Sequence, residues 1–189
     1  MVPSAVFNEA IVFFTVLALI SLVRRTSLQK LRESFRYFTV LSNVFCAFAA
    51  LLLLLSELFG AMPAWIVVLK YMGTVAVTVT FLTVFLFLLP ASKSLEGLLR
   101  EWTEIVMHVI TPLLALISFL GFENRGFSPW IIPLGILPVI LYGWLYLSRM
   151  VLQKVWPDFY GFNKDGKWKL SFSLMTLGTV AIAVLVWAL

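Results

Sequence analysis

The stretch Trp102-Thr103-Glu104-Ile105-Val106-Met107-His108-Val109-Ile110-Thr111-Pro112-Leu113-Leu114-Ala115-Leu116-Ile117-Ser118-Phe119-Leu120 decides how this chain is read. It has the length and apolarity of a transmembrane helix, which needs roughly 17–25 such residues. Inside it lies His108, the only histidine of the protein. An ionisable side chain within a membrane span is costly, and it is by default a candidate for function. Glu104 stands one helical turn before His108 on the same face, within reach of the imidazole. Pro112 stands one turn after it and brings no N–H, so the His108 carbonyl is expected to lose its usual helical partner. The same pattern also serves as polar glue between helices, and that reading stays open at this point.

Working outward, five more apolar runs match the first. The expected helices are about 6–23, 35–58, 65–89, 101–120, 129–152 and 170–189. Of the 189 residues, 62% are hydrophobic and only 12% charged, whereas soluble domains are nearer half apolar. We therefore expect an all-α, polytopic bundle of six transmembrane helices forming one domain over residues 1–189, with no internal repeat and no linker. The first apolar run lacks a preceding basic region and a clear cleavage site, so it reads as a retained helix. A single cysteine excludes an internal disulfide. No Cys/His spacing suggests a metal, and no cofactor is expected.

The Lys and Arg residues orient the bundle. Arg24, Arg25, Lys30, Arg32 and Arg36 follow the first span. Lys93 and Arg100 follow the third, and Arg149, Lys154, Lys164, Lys167 and Lys169 follow the fifth. That leaves Lys70 and Arg125 for the opposite side. The expectation is three cytoplasmic basic loops, with both termini extracytoplasmic, in a bacterial plasma (inner) membrane. The net charge of +5 then reflects loops against an anionic leaflet rather than nucleic-acid binding.

The second helix opens Phe35-Arg36-Tyr37-Phe38-Thr39-Val40-Leu41-Ser42-Asn43-Val44-Phe45-Cys46. Thr39, Asn43 and Cys46 recur at helical spacing with Ser42 beside them, so this stripe should turn into the bundle. Cys46 reads as packing. Both this helix and the His108 helix begin at the basic side, which places Thr39 and His108 at compatible depths. A hydroxyl is a weak nucleophile until a base takes its proton. Thr39 and His108 are thus candidate nucleophile and base, Glu104 a group that orients the imidazole, and Asn43 or Ser42 donors to a developing oxyanion. The aromatic loop Trp156-Pro157-Asp158-Phe159-Tyr160-Gly161-Phe162 lies on the same side. In it Asp158 and Tyr160, together with Arg36, are candidate lid or headgroup contacts.

Three stretches carry a resemblance. Arg36-Tyr37-Phe38-Thr39-Val40-Leu41-Ser42-Asn43, His108-Val109-Ile110-Thr111-Pro112 and Trp156-Pro157-Asp158-Phe159-Tyr160-Gly161-Phe162 resemble, in order, segments of the androgen-induced-gene-1-like and androgen-dependent TFPI-regulating membrane proteins. The small bacterial six-span relatives of that family are the most similar. The animal members hydrolyse fatty acid esters of hydroxy fatty acids with a threonine and a histidine. The resemblance therefore implies Thr39 as nucleophile, His108 as base and a lipid or fatty-acyl ester as substrate. Ser42-Asn43 departs from the acidic residue of the animal members.

The sequence thus yields one principal expectation and one rival. The first is a membrane-embedded ester hydrolase whose Thr39 and His108 face each other beside a mainly apolar cavity, within hydrogen-bond reach, with Glu104 at the other imidazole nitrogen. The rival is a non-enzymatic lipid or small-molecule binder, or a small proton-coupled transporter, that uses the Glu104/His108 pair. Neither reading specifies the acyl chain, the headgroup or the oligomeric state.

Overall fold

The structure, a computed structural model, describes residues 3–25, 27–60, 62–85 and 101–189. Seven helices account for the architecture, and no strand occurs among the described residues. They are α1 (Pro3–Arg25), α2 (Leu28–Ser34), α3 (Phe38–Leu58), α4 (Ala64–Thr83), α5 (Trp102–Glu123), α6 (Pro129–Leu152) and α7 (Trp168–Ala188). All but α2 are long and apolar enough to cross a membrane. The molecule is an all-α bundle of six such helices, as expected of an integral membrane protein. The far end of the third expected span, 86–89, and the loop residues Lys93 and Arg100 lie outside the described residues.

The helices turn small and polar side chains inward together with a few large ones, and leave many large apolar ones on the outer surface. On α3, Ser42, Asn43, Cys46, Ala47, Ala50 and Leu53 are buried, whereas Phe48, Leu51, Leu55 and Leu58 are exposed. That is the pattern of a helix with lipid on one side, where burying apolar surface between helices gives no drive and close packing does. Gly73 of α4 shows how close. A Cβ added there would lie 2.9 Å from the Cys46 Cα, so only glycine lets α3 and α4 approach this far. Tyr71 fixes the other side of α4: its ring lies over Gly135 of α6, and its hydroxyl donates to the Ala183 carbonyl of α7 at 2.8 Å.

Two features depart from the expected elements. The second span does not begin at Phe35. A short helix, α2, ends at Ser34, and the chain is extended at Tyr37 (φ −88°, ψ 134°) before α3 starts at Phe38. Tertiary contacts hold this break, and local propensity does not report them. The Tyr142 hydroxyl donates to the Arg36 carbonyl at 2.7 Å, and the Phe38 N–H donates to the Tyr160 hydroxyl at 2.9 Å.

The second feature concerns Lys70, which the sequence assigned only to the side opposite the basic loops. It sits within α4 with no exposed surface and pairs with an equally buried Glu123, Nζ to Oε2 3.5 Å. Glu123 Oε1 accepts hydrogen bonds from Ser4 Oγ at 2.9 Å, Asn8 Nδ2 at 2.6 Å and Ser118 Oγ at 2.6 Å. Lys70 also donates to Asn8 Oδ1. This cluster ties α1, α4 and α5 together at the end of the bundle away from Thr39. Hydropathy alone misses it, because each charged residue is averaged away among apolar neighbours.

Removing one partner of a buried ion pair strands the other charge and costs about 3–5 kcal/mol, whereas replacing both is often nearly neutral. Lys70→Met should therefore lower the thermal midpoint of the detergent-solubilised protein strongly. Adding Glu123→Leu to it should restore most of the loss. Thermal unfolding followed by intrinsic fluorescence of the two variants distinguishes this from an independent effect at each site.

Candidate functional site

The start of α3 and the first half of α5 build the site. Pro112 has no N–H, and α5 adapts by widening to a π turn over Val106–Ile110. Such turns mark places where the helical ladder has been interrupted. The Thr111 N–H bonds to the Val106 carbonyl, five residues earlier. In that register the carbonyl left without an amide is that of Met107, because its counterpart would be Pro112. The expectation placed the freed carbonyl at His108. The π turn moves it by one residue.

Asn43 takes that carbonyl. Its Nδ2 donates to the Met107 carbonyl at 2.9 Å and to the Thr39 carbonyl of its own helix at 2.8 Å. Both amide hydrogens are therefore engaged, and the side chain is fully buried. Ser42 is buried too and bonds with the Thr80 hydroxyl of α4 at 3.0 Å and the Thr39 carbonyl at 3.1 Å. Neither residue lines the cavity described below. The expected oxyanion donors are instead structural ties, because an unpaired carbonyl inside the bundle demands a donor.

Thr39, Glu104 and His108 do converge. They line one cavity of about 430 Å³, together with Leu22 of α1, Ser34 of α2 and Phe159 and Tyr160 of the loop before α7. Val40 and Met107 form much of the apolar wall, and Thr103 adds a hydroxyl. His108 is largely buried. Its Nδ1 has no hydrogen-bond partner among the described residues, and its Nε2 lies 4.0 Å from Glu104 Oε2. Among the described residues no hydrogen bond joins Thr39 to His108; the two side chains reach the same space rather than each other. Catalytic hydrogen bonds without substrate are often long and tighten only in the complex.

The break before α3 has a consequence here. Thr39 and Val40 occupy the first turn of the helix, where backbone amides have no acceptor within it. The Phe38 amide is taken by Tyr160. The amides of Thr39 and Val40 have no backbone partner among the described residues. Both residues line the cavity, so the positive end of α3 faces the space where Thr39 and His108 meet.

The aromatic loop covers this end. Tyr146 and Tyr160 pack edge to face with centroids 5.2 Å apart, and Tyr37 lies against Phe159 at 4.7 Å. Burial pushes the Tyr160 phenol above its ordinary range, so it stays protonated at neutral pH. Asp158, expected as a lid or headgroup contact, turns inward instead. Its carboxylate accepts the Tyr146 hydroxyl at 2.7 Å, the Phe162 N–H at 2.9 Å and the Asn163 N–H at 2.7 Å, and so folds the loop. Arg36 contributes its backbone carbonyl to Tyr142, and its side chain does not line the cavity. Of the three candidate lid residues only Tyr160 is at the site. Reading the sequence for chemistry passed over Ser34, Thr103 and the amide of Val40. Thr103, beside Glu104, was the one with a visible signal, a second polar residue at the helix start. Among the described residues no three His, Cys, Asp or Glu side chains group as a metal site.

Asn43→Leu should be more damaging than its polar-to-apolar character suggests. Leucine keeps the volume but leaves the buried Met107 carbonyl without a donor, at a cost of about 1–3 kcal/mol. Asn43→Asp should be no better, since an acidic side chain presents acceptors to two carbonyls. Thermal unfolding of both variants in detergent checks this: each should melt well below the wild type.

No protein-family model, curated protein or solved structure matches the chain, so the reading of this cavity rests on its own residues and geometry.

Proposed function

We propose that this protein is a membrane-embedded hydrolase of a lipid or fatty-acyl ester, with Thr39 as nucleophile and His108 as general base. The observation that carries the reading is the shared cavity. A hydroxyl and the only imidazole of the chain, on separate helices, line one space of about 430 Å³ with apolar walls. Ligand sites of this kind are mostly apolar with a few convergent polar groups.

In this mechanism His108 takes the Thr39 proton as Oγ1 attacks the acyl carbonyl. The carbonyl oxygen becomes an oxyanion, and the unpaired amides of the first turn of α3 receive it. The tetrahedral intermediate expels the alcohol, which takes the proton from the imidazolium. His108 then deprotonates water, which attacks the Thr39 acyl ester; the fatty acid leaves as the imidazolium returns the proton to Thr39 Oγ1. Glu104, 4.0 Å from His108 Nε2, stabilises the imidazolium that forms in each half. In this reading the basic loops face the cytoplasm of a bacterial inner membrane, and an amphiphilic ester enters the cavity from that leaflet.

The Glu104–His108 approach also favours a rival, a binder or transporter that carries a proton on this pair. A fluorophosphonate probe separates the two. On the hydrolase reading the purified wild type is labelled, Thr39→Ser keeps partial labelling, and Thr39→Val and His108→Ala lose about a hundredfold or more in rate, as expected for a lost nucleophile or base. Valine keeps the threonine shape and removes only the hydroxyl. Labelling that survives in Thr39→Val would mean that another residue attacks, and the proposal would fall.

A further inference from the structure

The cavity is uneven in charge. Among its described lining residues Ser34, Thr39, Thr103 and Tyr160 are neutral polar groups, and Glu104 is the one acidic or basic side chain apart from His108. The Glu104 side chain is 49% exposed, and it reaches to 4.0 Å from the imidazole. Among the described residues no Lys or Arg pairs with it. The neighbouring acid, Glu101, holds Arg25 at 2.9 Å instead. Arg24, Arg25, Arg32 and Arg36 surround the approach along the chain, yet none of them lines the cavity. They draw the protein's face toward an anionic leaflet without neutralising the interior.

We infer that Glu104 determines specificity: it selects esters whose polar end donates hydrogen bonds, a hydroxyl or an ammonium, and rejects those with a carboxylate or phosphate beside the ester. The inference rests on the hydrolase reading and deepens it. An ester carbonyl within reach of Thr39 and His108 brings its adjoining polar group to Glu104, one helical turn from His108. A second negative charge about 5 Å from the Glu104 carboxylate is disfavoured by about tenfold, after allowance for solvent screening at a half-exposed site. A hydroxyl or ammonium there gains a charge-assisted hydrogen bond instead.

The experiment compares three laurate esters, of glycerol, choline and glycolic acid, with the full-length protein in detergent micelles. All three share the acyl chain and differ in the charge beside the ester. Each rate is divided by the rate of base hydrolysis of the same ester, to remove intrinsic reactivity. The wild type should take the glycerol and choline esters with kcat/KM at least about tenfold above the glycolate ester. Glu104→Gln should bring the glycerol-to-glycolate ratio close to one, and Glu104→Lys should invert it. A catalytic contribution of Glu104 lowers kcat for all esters and cancels in the ratio, so the ratio reports selectivity alone. A wild-type ratio near or below one, or a ratio unchanged in Glu104→Gln, overturns the inference. If the wild type hydrolyses none of the esters, the hydrolase reading fails and the inference is read from binding. Tryptophan fluorescence titrations with dodecyl glycerol ether and with laurate should then show the same preference, lost in Glu104→Gln. Equal affinity for the two amphiphiles, or a preference that survives the substitution, overturns it.

Discussion

A proline in the middle of a membrane helix leaves a carbonyl that water does not reach, and the arrangement of this site follows from how that carbonyl is satisfied. In α5 the missing amide of Pro112 widens the helix to a π turn and exposes the Met107 carbonyl. The Asn43 amide reaches across from α3 to take it. The same amide grips the Thr39 carbonyl, so one side chain holds the helix of Thr39 to the helix of His108. The residue that follows Met107 is His108, which lines the cavity that Thr39 also lines. Structural need and chemical placement thus share a single contact. Without it, nothing among the described polar groups bridges α3 and α5 at this depth.

The two ends of the bundle handle polarity in opposite ways. At one end Lys70, Glu123, Ser4, Asn8 and Ser118 bond to one another with almost no surface left over, with Lys70 Nζ 3.5 Å from Glu123 Oε2. That arrangement locks α1, α4 and α5 and suits a rigid scaffold. At the other end His108 Nδ1 has no hydrogen-bond partner and the Thr39 and Val40 amides no backbone partner among the described residues, and a cavity lies beside them. The aromatic loop, folded around Asp158 and anchored through Tyr160 to the first amide of α3, closes that end. One end is thus held by a buried polar cluster, and the other holds a cavity.

Much of this was legible in the chain, and the exceptions have physical causes. Hydropathy located all six spans, and the helical spacing of Thr39, Asn43 and Cys46, with Ser42 beside them, pointed the stripe inward, where the structure buries the last three and sets Thr39 at the cavity. Depth counting from the basic loops brought Thr39 and His108 to one cavity. What failed depends on contacts distant in sequence. The Lys70–Glu123 pair joins residues on different helices, so the local pattern showed only a stray charge. The break at Tyr37 is held by Tyr142 and Tyr160, more than a hundred residues away. The role of Asn43 was misread because the π turn shifts the freed carbonyl by one residue, a change of register that no i, i+4 rule contains. Asp158 looked like an exposed acid, yet the backbone amides of its own loop draw it inward.

The account stands or falls on Thr39 and His108 acting on the same bound molecule. Because the chain has one histidine, histidine-selective 15N labelling gives a single imidazole to observe in detergent micelles. A long-chain alkyl phosphonate that reacts with an activated hydroxyl should shift both ring-nitrogen signals in the wild type and leave them unmoved in Thr39→Val. Ring signals that do not respond in the wild type, or that respond equally in the valine variant, would contradict a shared site.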